Sequence, residues 1–99
     1  MKVYIAGKIT GLKNYKEKFN KAESLLKLKG NTVINPVKLF DILGEKFEHW
    51  EYMAICYSLI DLCERVYLLD NWSESKGAML EVEYARSRGK EVVMIGEIQ

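Results

Sequence analysis

The chain has 99 residues, 48% of them hydrophobic and 29% charged, with a formal net charge of +1 at pH 7. That length supports one domain around one core, and the near-neutral balance gives no electrostatic case for a nucleic-acid polymer or a membrane surface as partner. No apolar run approaches the length of a membrane span, and Met1-Lys2 leads straight into a strand pattern, so a cytoplasmic protein without a leader is expected.

Lys2-Val-Tyr-Ile-Ala6 is a short apolar run ending at Gly7, the pattern of a central parallel strand. Gly7-Lys-Ile-Thr-Gly11 follows as a turn with two glycines. Its N–H groups and Lys8 suit a phosphate. The spacing matches neither a Walker loop nor a dinucleotide fingerprint, and taken alone it is a plain strand-to-helix turn. Asn14 to Lys29 is the clearest helix, with Tyr15, Phe19, Ala22, Leu25, Leu26 and Leu28 as its apolar stripe and lysines and glutamates as its solvated face. Asn14 is the expected N-cap and Gly30 the residue that closes the helix.

Asn31-Thr-Val-Ile-Asn35 is a second strand, stopped by Pro36. The β-α-β order predicts a parallel pair with a right-handed crossover. Between Val37 and Glu48, apolar residues scatter around Gly44 without a clear period, which predicts a partly ordered loop over the sheet edge or a lid. His49 and Trp50 open a helix running about Trp50 to Leu62, in which Trp50, Tyr52 and Met53 serve either a base-binding pocket or the core. His49, at the helix start, is assigned no chemistry. Cys56 and Cys63 lie seven apart with no His or Cys partner at ligand spacing. They are expected as buried thiols in a reducing compartment, and no metal or cofactor is expected.

Val66 to Leu69 is the third strand, and the stretch Trp72 to Glu83 carries the chain from it into a third helix of about Lys76 to Arg88. Ser75 is placed to cap that helix or to offer its hydroxyl to an anion at the helix's positive end. Gly77 allows close backbone approach, and Glu81 points from the first turns toward the crevice. On local sequence alone this is also a capped helix with solvent-facing glutamates. Glu91-Val-Val-Met-Ile95 is a fourth strand. The expected fold is an α/β/α sandwich on a four-stranded parallel sheet of order 2-1-3-4, and its switch point brings the Gly7–Gly11 loop and the Trp72–Glu81 stretch together across one crevice.

Three segments in order, Gly7–Gly11, Trp50-Glu-Tyr52-Met53 and Trp72–Ala78, together with Val3-Tyr4-Ile5-Ala6 and Glu81, resemble the nucleoside 2-deoxyribosyltransferase superfamily. The resemblance is closer to a small bacterial and phage branch of unknown function, and it spans nearly the whole chain. It implies chemistry at an N-glycosidic bond: Glu81 as the nucleophile at the anomeric carbon, Tyr4 as the residue that orients it, and transfer of the sugar to another base or to water. It also implies a nucleoside or nucleotide ligand held by Gly7, Lys8, Ile9, Gly11, Trp50, Cys56, Ser75 and Gly77.

Ser75 stands where the transferases of that superfamily carry an aspartate and its 5′-monophosphate hydrolases a serine, which implies a phosphorylated ligand. Cys56 stands where the active relatives carry an aspartate, and Lys8 where the branch usually has proline. The expectation is therefore a hydrolase or transferase of 2-deoxyribonucleoside 5′-monophosphates. The alternative is a nucleotide-binding module with little or no turnover, and a lesser one is a structural or interaction protein. The apolar second helix adds the expectation of a homodimer.

Overall fold

The computed structural model describes residues 1–98. Four parallel strands, β1 (Lys2–Ala6), β2 (Thr32–Ile34), β3 (Arg65–Leu68) and β4 (Glu91–Met94), form one sheet in the order β2-β1-β3-β4. In β1, Tyr4 pairs with Ile34 of β2 on one side and Val66 of β3 on the other. With both neighbours in place, Val3 through Ala6 are fully buried, which is why this strand is apolar without alternation.

Successive residues of β1 and β3 feed two cores. Val3, Ile5, Tyr67 and Leu69 pack with Phe19, Ala22 and Leu26 of helix α1 (Tyr15–Leu28). Tyr4, Ala6, Val66 and Leu68 pack on the other face, with Cys56 and Ile60 of α3 (His49–Asp61) and Val82 and Ala85 of α4 (Lys76–Ser87). The result is a three-layer α/β/α sandwich with its core at β1 and β3.

Helix ends follow local chemistry. Ser75 Oγ accepts the Ala78 N–H at 3.1 Å and starts α4. Glu51 accepts the Glu48 N–H at 2.9 Å at the start of α3. Gly30 and Gly89 follow α1 and α4 with φ of 88° and 71°, a conformation that costs residues with a Cβ. The residue preceding α1 is Asn14, but its side chain makes no capping bond.

Three expectations change. The segment after β2 is not a loop: α2 (Pro36–Leu43) forms there, followed by a 3₁₀ turn at Gly44–Lys46. Pro36 occupies the first turn, where its missing N–H costs nothing, and Asn35 Oδ1 caps the helix by accepting the Val37 N–H at 3.0 Å. Leu28 lies at the end of α1 beyond the sheet's reach and is exposed rather than part of the buried stripe. Glu23, on the helix expected to solvate its glutamates, is buried.

Among the described residues no helix is long and apolar enough to cross a membrane.

Candidate functional site

The carboxyl ends of β1 and β3 open into a cleft of about 640 Å³. Strand β1 delivers Gly7, Lys8 and Ile9 to one wall, and the stretch after β3 delivers Ser75, Gly77 and Glu81. The third wall comes from the segment that replaces the expected loop and from the start of α3, with Phe40, Phe47, His49 and Tyr52. The volume is that of a small-molecule site, and its position is the crevice where the strand order reverses.

Glu81 is the buried carboxylate of this cleft. One turn into α4, it is 6% exposed and accepts a short hydrogen bond from the Tyr4 hydroxyl, itself completely buried on the central strand. The Cys56 thiol, on α3, donates toward Glu81 and lies beside the hydroxyls of Tyr4 and Tyr52. Burial raises the Glu81 carboxyl to about 7, while the hydrogen bonds from Tyr4 and Cys56 pull the other way without cancelling it. Burial also carries the Tyr4 phenol well above its ordinary value, reinforced by the Glu81 charge. The same two causes push Cys56 to about 12. A carboxyl that titrates near neutrality at the floor of a cleft has the properties of a nucleophile or base rather than of a surface charge.

The two cleft glycines have different tasks. A Cβ on Gly7 would lie 2.6–2.9 Å from three side-chain carbons of buried Leu69, so the close approach of the β1 end to the β3 end requires glycine. A Cβ on Gly77 would meet His49 Nε2 at 3.7 Å and Met53 Sδ at 3.8 Å, ordinary contacts. That position has room, and filling it would take space from the cleft. Lys8 Nζ lies 3.8 Å from a Glu74 carboxylate oxygen, and the Lys8 N–H donates to Asn71 Oδ1 at 3.0 Å. The loop's first amide past Gly7 is therefore occupied by the protein itself.

Three expected binding residues fall outside the cleft wall. Gly11, with φ of 78°, turns the chain beyond it and does not line it. Trp50 is 70% exposed, because the second position of α3 faces away from the sheet. Cys56 is completely buried beneath Glu81 and touches the carboxylate rather than the open space. Phe40, Phe47 and His49 line the wall instead. The Asn35-Pro36 pair was the signal that could have found the first of them, since it marks a helix start. Among the described residues no group of three or more His, Cys, Asp or Glu side chains is placed to hold a metal ion.

The family described as Domain of unknown function (DUF4406) matches residues 1–94. No curated protein matches the chain. Among solved structures, a 2-desoxiribosyltransferase from Leishmania mexicana is similar, with a TM-score of 0.71 at 18% sequence identity. The match covers 94% of this chain and 62% of that one, so this chain spans less than two thirds of its structural neighbour. At that identity the likeness is one of fold.

Proposed function

This chain belongs to the family Domain of unknown function (DUF4406), and from the cleft it builds we propose that it cleaves the N-glycosidic bond of 2-deoxyribonucleoside 5′-monophosphates. The observation that carries the reading is the buried Glu81 carboxyl, held by Tyr4 at the floor of the cleft and raised to about 7. The fold shared with a 2-desoxiribosyltransferase supports the same class of chemistry.

In this reading the ionised Glu81 oxygen attacks the anomeric carbon, and the bond to the base breaks with its electron pair going to the base nitrogen. The transition state is an oxocarbenium-like cation, which a carboxylate stabilises before trapping it as a glycosyl ester. Tyr4 fixes the carboxylate through its hydroxyl, leaving the other oxygen for the sugar. Water or a second base then takes the sugar from the ester. The sugar's phosphate lies toward Lys8, Ser75 and Gly77, where the ammonium group and the first turn of α4 favour negative charge. The base lies against Phe40, Phe47 and Tyr52, whose rings offer stacking surface.

Incubation with each of the four 2-deoxyribonucleoside 5′-monophosphates, with free base followed by chromatography, tests the reading. Wild type should release base and Glu81→Ala should not. A second reading, a nucleotide-binding module without turnover, is favoured by one observation: the Cys56 thiol is fully buried and pushed to about 12, so it offers no proton to a departing base. Ligand-dependent elevation of the melting temperature without base release would select that reading. Release of base would reject it.

A further inference from the structure

Departure of a purine leaves negative charge on a ring nitrogen, and a proton supplied there is worth a large part of the rate. The groups around Glu81 are poor sources. Cys56 is sealed beneath the carboxylate. The Tyr52 hydroxyl is committed to the Pro36 carbonyl at 3.1 Å, and burial raises its phenol far above the ordinary value. The cleft's remaining charged groups are the ammonium groups of Lys8 and Lys76 and the carboxylates of Glu45 and Glu74, and Lys8 and Glu74 lie 3.8 Å apart as an ion pair. His49 is the one histidine in the chain. It lies on the cleft wall at the start of α3, and its Nε2 is 3.7 Å from where a Gly77 Cβ would stand, one helical turn before Glu81. Imidazole is the side chain that ordinarily gains and loses a proton near neutral pH.

We propose that His49 is the acid that protonates the leaving base, a catalytic role at the cleft wall beside the first turn of α4, the helix that carries Glu81. The inference rests on the glycosidic reading above and extends it. As Glu81 bonds to the anomeric carbon and the C–N bond breaks, the His49 imidazolium gives its N–H proton to the base nitrogen, and the base leaves neutral. When water opens the glycosyl ester, its oxygen bonds to the anomeric carbon, the Glu81 carboxylate departs, and the released proton returns to the neutral imidazole. The cycle consumes one water and yields free base and 2-deoxyribose 5-phosphate. Two tasks thereby fall to two helices, nucleophile on α4 and acid on α3, where the start of α3 meets the first turn of α4.

The test compares 2′-deoxyguanosine 5′-monophosphate with its 7-methyl derivative, whose cationic base leaves without a proton, for wild type, His49→Ala and His49→Gln. Both variants change an exposed position and should keep the wild-type melting temperature. Expected is a loss of about 10²- to 10⁴-fold on the unmethylated nucleotide and less than about threefold on the methylated one. Equal losses on both nucleotides, or none on either, would overturn the role of His49. So would a wild type that releases only 7-methylguanine. Wild-type silence on both nucleotides would overturn His49 as acid to a departing purine, and silence on all four 2-deoxyribonucleoside 5′-monophosphates would overturn the glycosidic reading itself, a distinct outcome.

Discussion

Among the described residues the molecule buries two glutamates, one on each face of its sheet, and their surroundings displace them in opposite directions. Glu23, on α1, would be raised by burial alone. Instead Lys27 at 2.9 Å, Lys38 at 3.0 Å and the Asn35 amide at 3.1 Å bring it down to about 2. Glu81, on α4, has hydrogen bonds from a phenol and a thiol but no paired cation, and it rises to about 7. Both start from an ordinary value of 4.5. A buried carboxylate beside two ammonium groups is satisfied structure, joining α1 to the start of α2. One kept without a cation, at the floor of a cleft, is chemically available. The difference lies in partners and in depth: both side chains are largely closed to solvent, but Glu23 lies near the surface beside two half-exposed lysines, and Glu81 lies deep in the packed interior.

The sharpest way to break the comparison is to neutralise each glutamate without changing its shape. Glu81→Gln should lower base release by at least about 10³-fold, because an amide cannot form the glycosyl ester. Glu23→Gln should leave base release per folded molecule unchanged. An equal loss in both variants would show that Glu81 acts only through the fold.

The same pair should diverge in stability, with opposite signs. The raised Glu81 value means that the native state favours its protonated form. Its contribution is fully present below the ordinary 4.5 and is lost as pH rises through about 7, a penalty of about 3 kcal/mol above that point. Glu81→Gln escapes the penalty, so it should match wild type near pH 4 and melt on the order of 10 °C higher at pH 8.5. That variant would be inactive and more stable, the signature of a group retained for chemistry. Identical melting curves across this range would show that Glu81 ionises without cost.

For Glu23 the direction reverses. Its lowered value contributes stability above 4.5 that is lost as pH falls toward about 2. Both lysines are more than half exposed, which screens the pairs, so Glu23→Gln should cost about 2 kcal/mol at pH 7 and little below about pH 2. A pH-independent cost, read from denaturant midpoints, would mean that Glu23 is held by packing rather than by charge.

Little of this contrast was visible in the order of residues, although the fold was. The apolar run of β1, the stripe of α1 and the glycines that close α1 and α4 placed the strands and their 2-1-3-4 order. Glu23 and Glu81 are both glutamates on helices with exposed charged neighbours, and only the packed molecule separates them. The burial of Glu23 depends on Asn35 and Lys38, 12 and 15 residues away, which no helical period encodes. Cys56 was expected at the ligand because of where it falls in a motif. Its actual depth is set by the register of α3 against β1, which puts the thiol under the carboxylate. Trp50 was drawn into the site by its aromatic character, but the face of α3 that it occupies points outward. The third wall of the cleft reads in sequence as a loop or lid, because Pro36 ends the strand pattern there, whereas in the structure it opens α2.

The smallest expected effect sharpens the Glu81 half of the comparison, by asking what its one short hydrogen bond does. The Tyr4 hydroxyl stabilises the ionised carboxylate, so Tyr4→Phe should raise Glu81 beyond about 7. On the 7-methyl nucleotide, whose base leaves without a proton from His49, wild-type kcat/KM should climb with pH through about 7 as Glu81 loses its proton, and in Tyr4→Phe that limb should move to higher pH. At pH 7 the variant should be about tenfold slower, from the smaller ionised fraction and the looser carboxylate. Much of that loss should return by pH 9. A purely structural role would lower the whole profile and leave the limb where it was. Because Tyr4 is completely buried on the central strand, the shape of the profile, rather than its height, distinguishes a hydrogen bond to the nucleophile from damage to the core.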